Sequence, residues 1–179
     1  MPRRRLSLSL ALLLALALPL SAGAPGREKV PPFTLTTLDG KQVRSSELKG
    51  KVVLLDFWAT WCIPCIKGLP DLKALAQRMA GEPFILVGVS EDARREDAAA
   101  FVKKNGLSWM QAWDGTGTIG GGLFKVEDLP TQVLLDHEGA FLYRQRGWAP
   151  GRSASAIEAQ VVKAVAEARK ASAKPEVAR

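Results

Sequence analysis

The sequence predicts an α/β fold with a mixed central β-sheet flanked by helices and a β-hairpin ahead of it. Three patterns carry this expectation. Val52–Trp58 (VVLLDFW) and Pro83–Ser90 (PFILVGVS) are apolar runs of strand length, the pattern of strands covered on both faces. Each is followed by a stretch with helical character. Near the end, TQVLLD and AFLYRQ flank the turn DHEG, which reads as a hairpin. Strands alternating with helices and then closing in a hairpin and a helix give layers around one sheet, in the order β-α-β-α-β-β-α after the first hairpin.

Arg3, Arg4 and Arg5 precede an apolar run from Leu6 to Leu20, and small residues follow at Ser21–Ala24. A positive start, a short apolar stretch and a small-residue end are the parts of a cleavable secretory signal peptide, expected at residues 1–24. The alternative is an uncleaved membrane anchor, against which the run falls short of the roughly 20 residues that span a bilayer and is interrupted by Pro19. Residues 25–32 read as a linker. Phe33 and Leu35 then alternate with polar residues up to a turn at Asp39-Gly40, a hairpin signal. Ser45–Leu48 reads as one capped helical turn.

After the first buried strand, Leu69, Leu72, Leu75, Ala76 and Met79 recur at helical spacing. They predict a helix from Ile63 or Pro64 to about Met79, closed by Gly81 and kinked at Pro70. EDARREDAAAFVKKNG predicts a second helix that stops at Gly106. Ser108–Trp113 is an expected short strand. The stretch DGTGTIGGGLF holds three successive glycines, each worth about 1 kcal/mol against a helix, and reads as a loop or a frayed turn. An amphipathic helix is expected from Ser153 to about Lys170, and 171–179 as a disordered tail. Residues 33–170 are the right size for one domain, and no internal repeat is visible.

Removing residues 1–24 takes away Arg3, Arg4, Arg5 and no acid, lowering the formal net charge from +7 to +4. Much of that surplus lies near the end, at Arg169, Lys170, Lys174 and Arg179. No basic run is interleaved with aromatics, so nucleic acid is not an expected partner.

The chain has two cysteines, Cys62 and Cys65, at the end of the first buried strand and the start of the helix after it. As a structural staple this pair would close a very small loop, where cross-linking stabilises least. Chemistry is the better account. Unpaired N–H groups and the macrodipole at a helix start favour an anion, and the thiolate is the nucleophile. Cys62 is therefore expected to be the exposed attacking sulfur, and Cys65, one turn inward, to resolve the mixed disulfide. Pro64 suits this position because its missing N–H falls among the helix's unpaired donors. A metal site would need two further ligands, but no other cysteine exists and the sole histidine, His137, lies in the DHEG turn. No metal and no bound cofactor is expected. Asp56 is the anomaly within VVLLDFW, since an acid there is costly to bury without a partner or a use.

Cys62-Ile63-Pro64-Cys65 in a strand–helix setting is a thioredoxin-like redox motif. LLDFWATWCIPC resembles the active-site segment of thioredoxin-fold proteins. Together with the export signal, FTLTTLDGKQVRSSELKGK, VGVSED, LPTQVLLDHEGAFLYRQRG and the closing helix, it resembles the TlpA/ResA-like extracytoplasmic thiol-disulfide oxidoreductases, from about Phe33 to Lys170. That resemblance implies a thioredoxin-like fold, with a cis bond before Pro130 facing the cysteines. It implies that the Leu129 backbone pairs with an extended segment of a partner, and that Trp61 shields the sulfurs. Trp61, Ile63, Pro64, Leu129 and Pro130 become the expected substrate-contacting residues.

The same resemblance makes Asp56 the acid that takes the proton of the resolving cysteine. Thioredoxins place a lysine on the neighbouring strand, and Phe84–Ser90 has none, so desolvation is expected to raise the Asp56 pKa. A second departure is Gly68, where many relatives of this type carry a glutamate three residues after the second cysteine; Pro70 is retained. Ile63-Pro64 supplies no charge to stabilise the thiolate further, so an exchanger running in the reducing direction is expected. The implied setting is the periplasm, with disulfide-containing proteins as substrates, a membrane thiol-electron donor, a monomeric state and cytochrome c maturation as one candidate role. The rival readings are an oxidase or isomerase, a peroxiredoxin-type peroxidase and an inert binding module. The peroxidase reading lacks its Pro-x-x-x-Thr-x-x-Cys pattern around Cys62.

Overall fold

The computed structural model describes residues 27–149 and 151–173. The expected signal segment and residues 174–179 of the expected tail lie outside them. The strands are β1 (Thr34–Thr37), β2 (Gln42–Arg44), β3 (Val52–Trp58), β4 (Phe84–Ser90), β5 (Met110–Trp113), β6 (Thr131–Leu135) and β7 (Phe141–Arg146). The helices are α1 (Ile63–Arg78), α2 (Arg95–Asn105) and α3 (Arg152–Ala173). The strands form one seven-stranded sheet in the order β2-β1-β5-β4-β3-β6-β7. β3, β4 and β5 run parallel, and β1, β6 and β7 pair antiparallel. This is the mixed sheet that the apolar runs and the closing hairpin imply.

β3 is buried at every position, and its alternation divides the core. Val53, Leu55 and Phe57 join Val87, Val89, Val133 and Leu135 on one face, where Phe33, Leu35, Leu48 and Phe124 cover them. Val52 and Leu54 join Leu86 and Leu134 on the other, beneath Leu72 and Leu75 of α1 and Ile157, Val161, Val165 and Ala168 of α3. A buried leucine or phenylalanine contributes about 1.5–3 kcal/mol through area removed from water, so β3 anchors both layers. α1 continues through Pro70.

Several expectations are corrected. α2 starts at Arg95 rather than Glu91, because the Asp92 side chain is occupied by hydrogen bonds from Thr60 and Ser90. The helix ends as expected at Gly106, in left-handed conformation. The glycine-rich stretch is a π-helical turn, Thr118–Leu123, rather than a loop or a frayed turn. Gly122 N donates to Gly117 O and Phe124 N to Ile119 O. The buried Asp114 caps the turn, its Oδ2 accepting from Ile119 N at 2.9 Å and Gly120 N at 2.7 Å. A Cβ at Gly120 would displace the Glu91 carboxyl, whose Oε1 occupies that place.

The segment expected as a linker is docked over its described part. Lys29 bridges Ala140, Phe141 N donates to Glu28 O, and Arg27 pairs with Asp136 and Glu167. It covers part of a strand edge that would otherwise be unpaired. Ala171–Ala173, expected in the tail, complete α3.

Candidate active site

Cys62 is the N-cap of α1, with extended backbone (φ −85°, ψ 94°), and Cys65 lies in the first turn. The two form a disulfide with Cα atoms 5.3 Å apart. Cys65 N donates to Cys62 Sγ at 3.3 Å, so the helix start already aims a backbone N–H at this sulfur. On reduction the same donor and the helix dipole face a thiolate.

The expectation of an exposed Cys62 is corrected: Cys62 is 4% exposed and Cys65 5%. The bond to Cys65 turns the Cys62 sulfur toward the helix. Both sulfurs belong to an apolar cluster with Trp58, Ala59 and Ala98, against which Leu129, Phe101 and Val102 pack. Trp61 stands 67% exposed next to Cys62, while Trp58 shares the buried cluster of the two cysteines and Leu129 packs against it. Ile63 is 64% exposed, and Pro64 and Ile66 are exposed as well. The cysteine pair is thus ringed by open apolar side chains. The Leu129-Pro130 peptide bond is cis, and Pro130 is buried at the start of β6.

Asp56 lies in the middle of β3, buried, with its neighbours in register Gly88 on β4 and Gln132 on β6. Burial pushes its pKa up to about 6, against the opposing effect of a hydrogen bond from Gln132 Nε2 at 2.6 Å. Gln132 is itself held, its Oε1 accepting from Gln145 Nε2 at 3.2 Å. The sequence reading finds Asp56 but misses both glutamines, which meet it only through strand register.

Asp92 is a further miss. It is buried at the end of β4 and holds the loop that carries the cysteines: Thr60 N donates to both of its oxygens at 3.1 Å, Thr60 Oγ1 at 2.6 Å and Ser90 Oγ at 2.9 Å. An acid directly after a buried strand, in VGVSED, is the signal that could have found it. Hydrogen bonds to charged groups contribute roughly 1.5–3 kcal/mol net. Asp92→Ala is therefore expected to lower stability by about 2 kcal/mol and to speed hydrogen exchange at the Thr60 amide; unchanged exchange there would show that the loop does not depend on it.

Glu91 forms a carboxyl pair with Asp114, and its pKa is raised to about 7 by burial first and then by the Asp114 charge and hydrogen bond. It joins the end of β4 to the π-helical turn that leads toward Leu129.

Gly68, three residues after Cys65, is buried against Trp148: a Cβ there would stand 3.0 Å from Cδ2 and 3.1 Å from Cε2 of the indole. An aromatic ring thus occupies the side of the helix where a glutamate would project.

Residues 27–144 match the model of the AhpC/TSA family. The chain is 35% identical over 113 residues to a thiol-disulfide oxidoreductase ResA of Bacillus cereus, a match that spans 63% of this chain and 64% of that one. The chain thus spans a little under two thirds of that relative's length. Among solved structures, a thiol:disulfide interchange protein DsbE from Chlorobium tepidum superposes with a TM-score of 0.72 and 31% identity, covering 80% of this chain and 99% of the other. A secreted Mycobacterium tuberculosis disulfide oxidoreductase homologous to Escherichia coli DsbE gives a TM-score of 0.63 and 26% identity, over 73% of this chain and 95% of that one.

Proposed function

Because this chain belongs to the AhpC/TSA family and is similar to thiol-disulfide oxidoreductases of the ResA/DsbE type, we propose that it is such an oxidoreductase and works as an exported, monomeric disulfide reductase in the periplasm. The observation that carries this reading is Cys62 at the N-cap of α1, next to exposed apolar side chains and in a cluster against which Leu129, the residue before the cis Pro130, packs.

The reaction starts from the reduced dithiol. The Cys62 thiolate attacks one sulfur of a substrate disulfide, forming a mixed disulfide and expelling the other substrate sulfur as a thiolate, which takes up a proton. Asp56 accepts the proton of Cys65, whose thiolate then attacks Cys62 Sγ. The second substrate thiolate leaves, and the Cys62–Cys65 disulfide forms. Two electrons pass from protein to substrate. A membrane thiol-electron donor restores the dithiol, since an oxidising compartment does not. Substrates are proteins whose disulfide lies in an extended segment able to lie along Leu129 and Pro130 and to rest on Trp61, Ile63 and Pro64. Gly68 departs from the relatives of this type at one position near the sulfurs, which makes cytochrome c maturation one place among several for this reductase.

Direction follows from the same helix end. With Ile63-Pro64 between the cysteines no side-chain charge stabilises the reduced form, unlike in strong oxidants near about −120 mV. Equilibration with a glutathione redox buffer is expected to give a potential well below that value; one close to it would make the protein an oxidase. A Cys65→Ser variant of the full chain should accumulate mixed disulfides through Cys62 with its substrates, and a trap that stays empty in an exporting cell would sink the reductase reading.

A further inference from the structure

Asp56 belongs to a polar row that crosses the sheet. Pairing in register places Gln145 of β7 beside Gln132 of β6, Gln132 beside Asp56 of β3, Asp56 beside Gly88 of β4, and Gly88 beside Gln111 of β5. Residues paired in this way share one face of a sheet. Here it is the face beneath the helices, because the flanking Val87, Val89, Ala112 and Val133 belong to the opposite core. On one side of Asp56 the row is hydrogen-bonded, Gln145 to Gln132 to Asp56. On the other side lies Gln111, whose residue is buried and whose Oε1 and Nε2 have no hydrogen-bond partner among the described residues. A buried amide in that condition costs about 1–3 kcal/mol unless another group uses it.

Gly88 explains where that amide sits. A Cβ at Gly88 would overlap Gln111 Oε1 and stand 2.9 Å from its Cδ and 3.0 Å from its Nε2. The Gln111 side chain therefore lies across the missing side chain of Gly88, toward the strand that carries Asp56. The amide thus lies over Gly88, the residue that pairs with Asp56.

We propose that Gln111 is a positioning residue for Asp56: its Nε2 donates to the ionised carboxylate, and its Oε1 accepts from the protonated acid. An amide serves both states by turning over, which the ammonium of a lysine cannot do. The inference rests on the reading of Asp56 as the base for Cys65. Among the described residues, no buried charge on the elements packed against Asp56 competes for this role. The buried residues of α1 are Cys65, Gly68, Leu72 and Leu75, and those of α3 and α2 are likewise uncharged. Lys67 is exposed, and Lys73 Nζ donates to Asn105 O. Phe84–Ser90 and Thr131–Leu135 contain no ionisable side chain.

The test follows the Asp56 carboxyl by ¹³C NMR during a pH titration of the reduced full chain, with Asp56→Asn identifying the signal. A hydrogen bond to a charged group outweighs one to a neutral group by about 1 kcal/mol, so Gln111→Met should raise the Asp56 midpoint by about 0.7 pH unit. The pH profile of the resolving step should move with it, which a loss of packing alone would not produce. Gly88→Ala, which pushes the amide aside while keeping Gln111, should shift the midpoint the same way and serves if the methionine variant does not fold. Midpoints unchanged in both variants overturn the contact. A resolving step whose pH profile ignores Asp56→Asn overturns the base role instead, and the midpoint still decides the contact.

Discussion

Asp56→Asn is expected to stabilise the oxidised protein by about 3 kcal/mol at pH 8 and to leave its stability nearly unchanged at pH 3. The folded protein holds the Asp56 carboxyl with a pKa of about 6, against 3.8 for the unperturbed group. Between these values the folded state binds the proton and the unfolded state does not, so stability falls as pH rises through that window. Below pH 3.8 the acid is neutral in both states and the burial of charge costs nothing. Above about pH 6 the whole difference is present, at about 1.4 kcal/mol per pH unit. Asparagine keeps an Oδ1 to accept from Gln132 Nε2 and removes the charge. Urea unfolding across pH 3–8 checks this, and a variant that loses stability at pH 8 would mean that the carboxylate is held by interactions beyond those of Gln132 and Gln111.

The same substitution should slow turnover. A positioned proton acceptor contributes roughly 10²–10⁴-fold, and in the proposed mechanism, with Gly68 in place of a nearby acid, Asp56 is the carboxyl that serves Cys65. Single-turnover reduction of a disulfide peptide near pH 7 is expected to fall by about 10²-fold, with Cys62 alkylation unaffected. Stability gained and rate lost at one residue is the trade expected where burial tunes a group for chemistry.

What could be read from the chain was local. The cysteines at a strand–helix junction, the acid inside VVLLDFW and the apolar runs each show within one element. Register does not. Gln132, Gln145 and Gln111 look like ordinary strand residues until pairing brings them into line with Asp56. The π-helical turn was hidden because it depends on a cap from Asp114 and on close approach of Glu91 to Gly120, both tertiary. The burial of Cys62 was missed for a related reason: helix position indicates an ionisable sulfur, whereas its cover comes from Trp58, Ala98 and Leu129 on separate elements.

Gly68→Glu is expected to destabilise the protein by about 4 kcal/mol, roughly twice the loss expected of Asp92→Ala. Its Cβ would meet three atoms of the Trp148 indole at 3.0–3.2 Å, closer than ordinary van der Waals contact, on the buried side of α1. Overpacking of this kind costs about 1–3 kcal/mol, and drawing a carboxylate from water on the buried side of α1 adds to that. The obstacle is one ring, so the cost should be coupled to it. Trp148→Ala alone should lose about 2 kcal/mol, since the side chain is half-buried. In the double variant the new side chain extends into the cleared space, and the combined loss should fall short of the sum by about 2 kcal/mol. Additive losses in urea unfolding would mean that the helix shifts to accommodate the glutamate and that the indole is not what excludes it. If the coupling is found, the double variant has two acids near Cys65, and its resolving step should then keep part of its rate when Asp56 is changed to Asn. In this protein the indole of Trp148, rather than a preference of the helix, would then be what leaves Asp56 to move the proton alone.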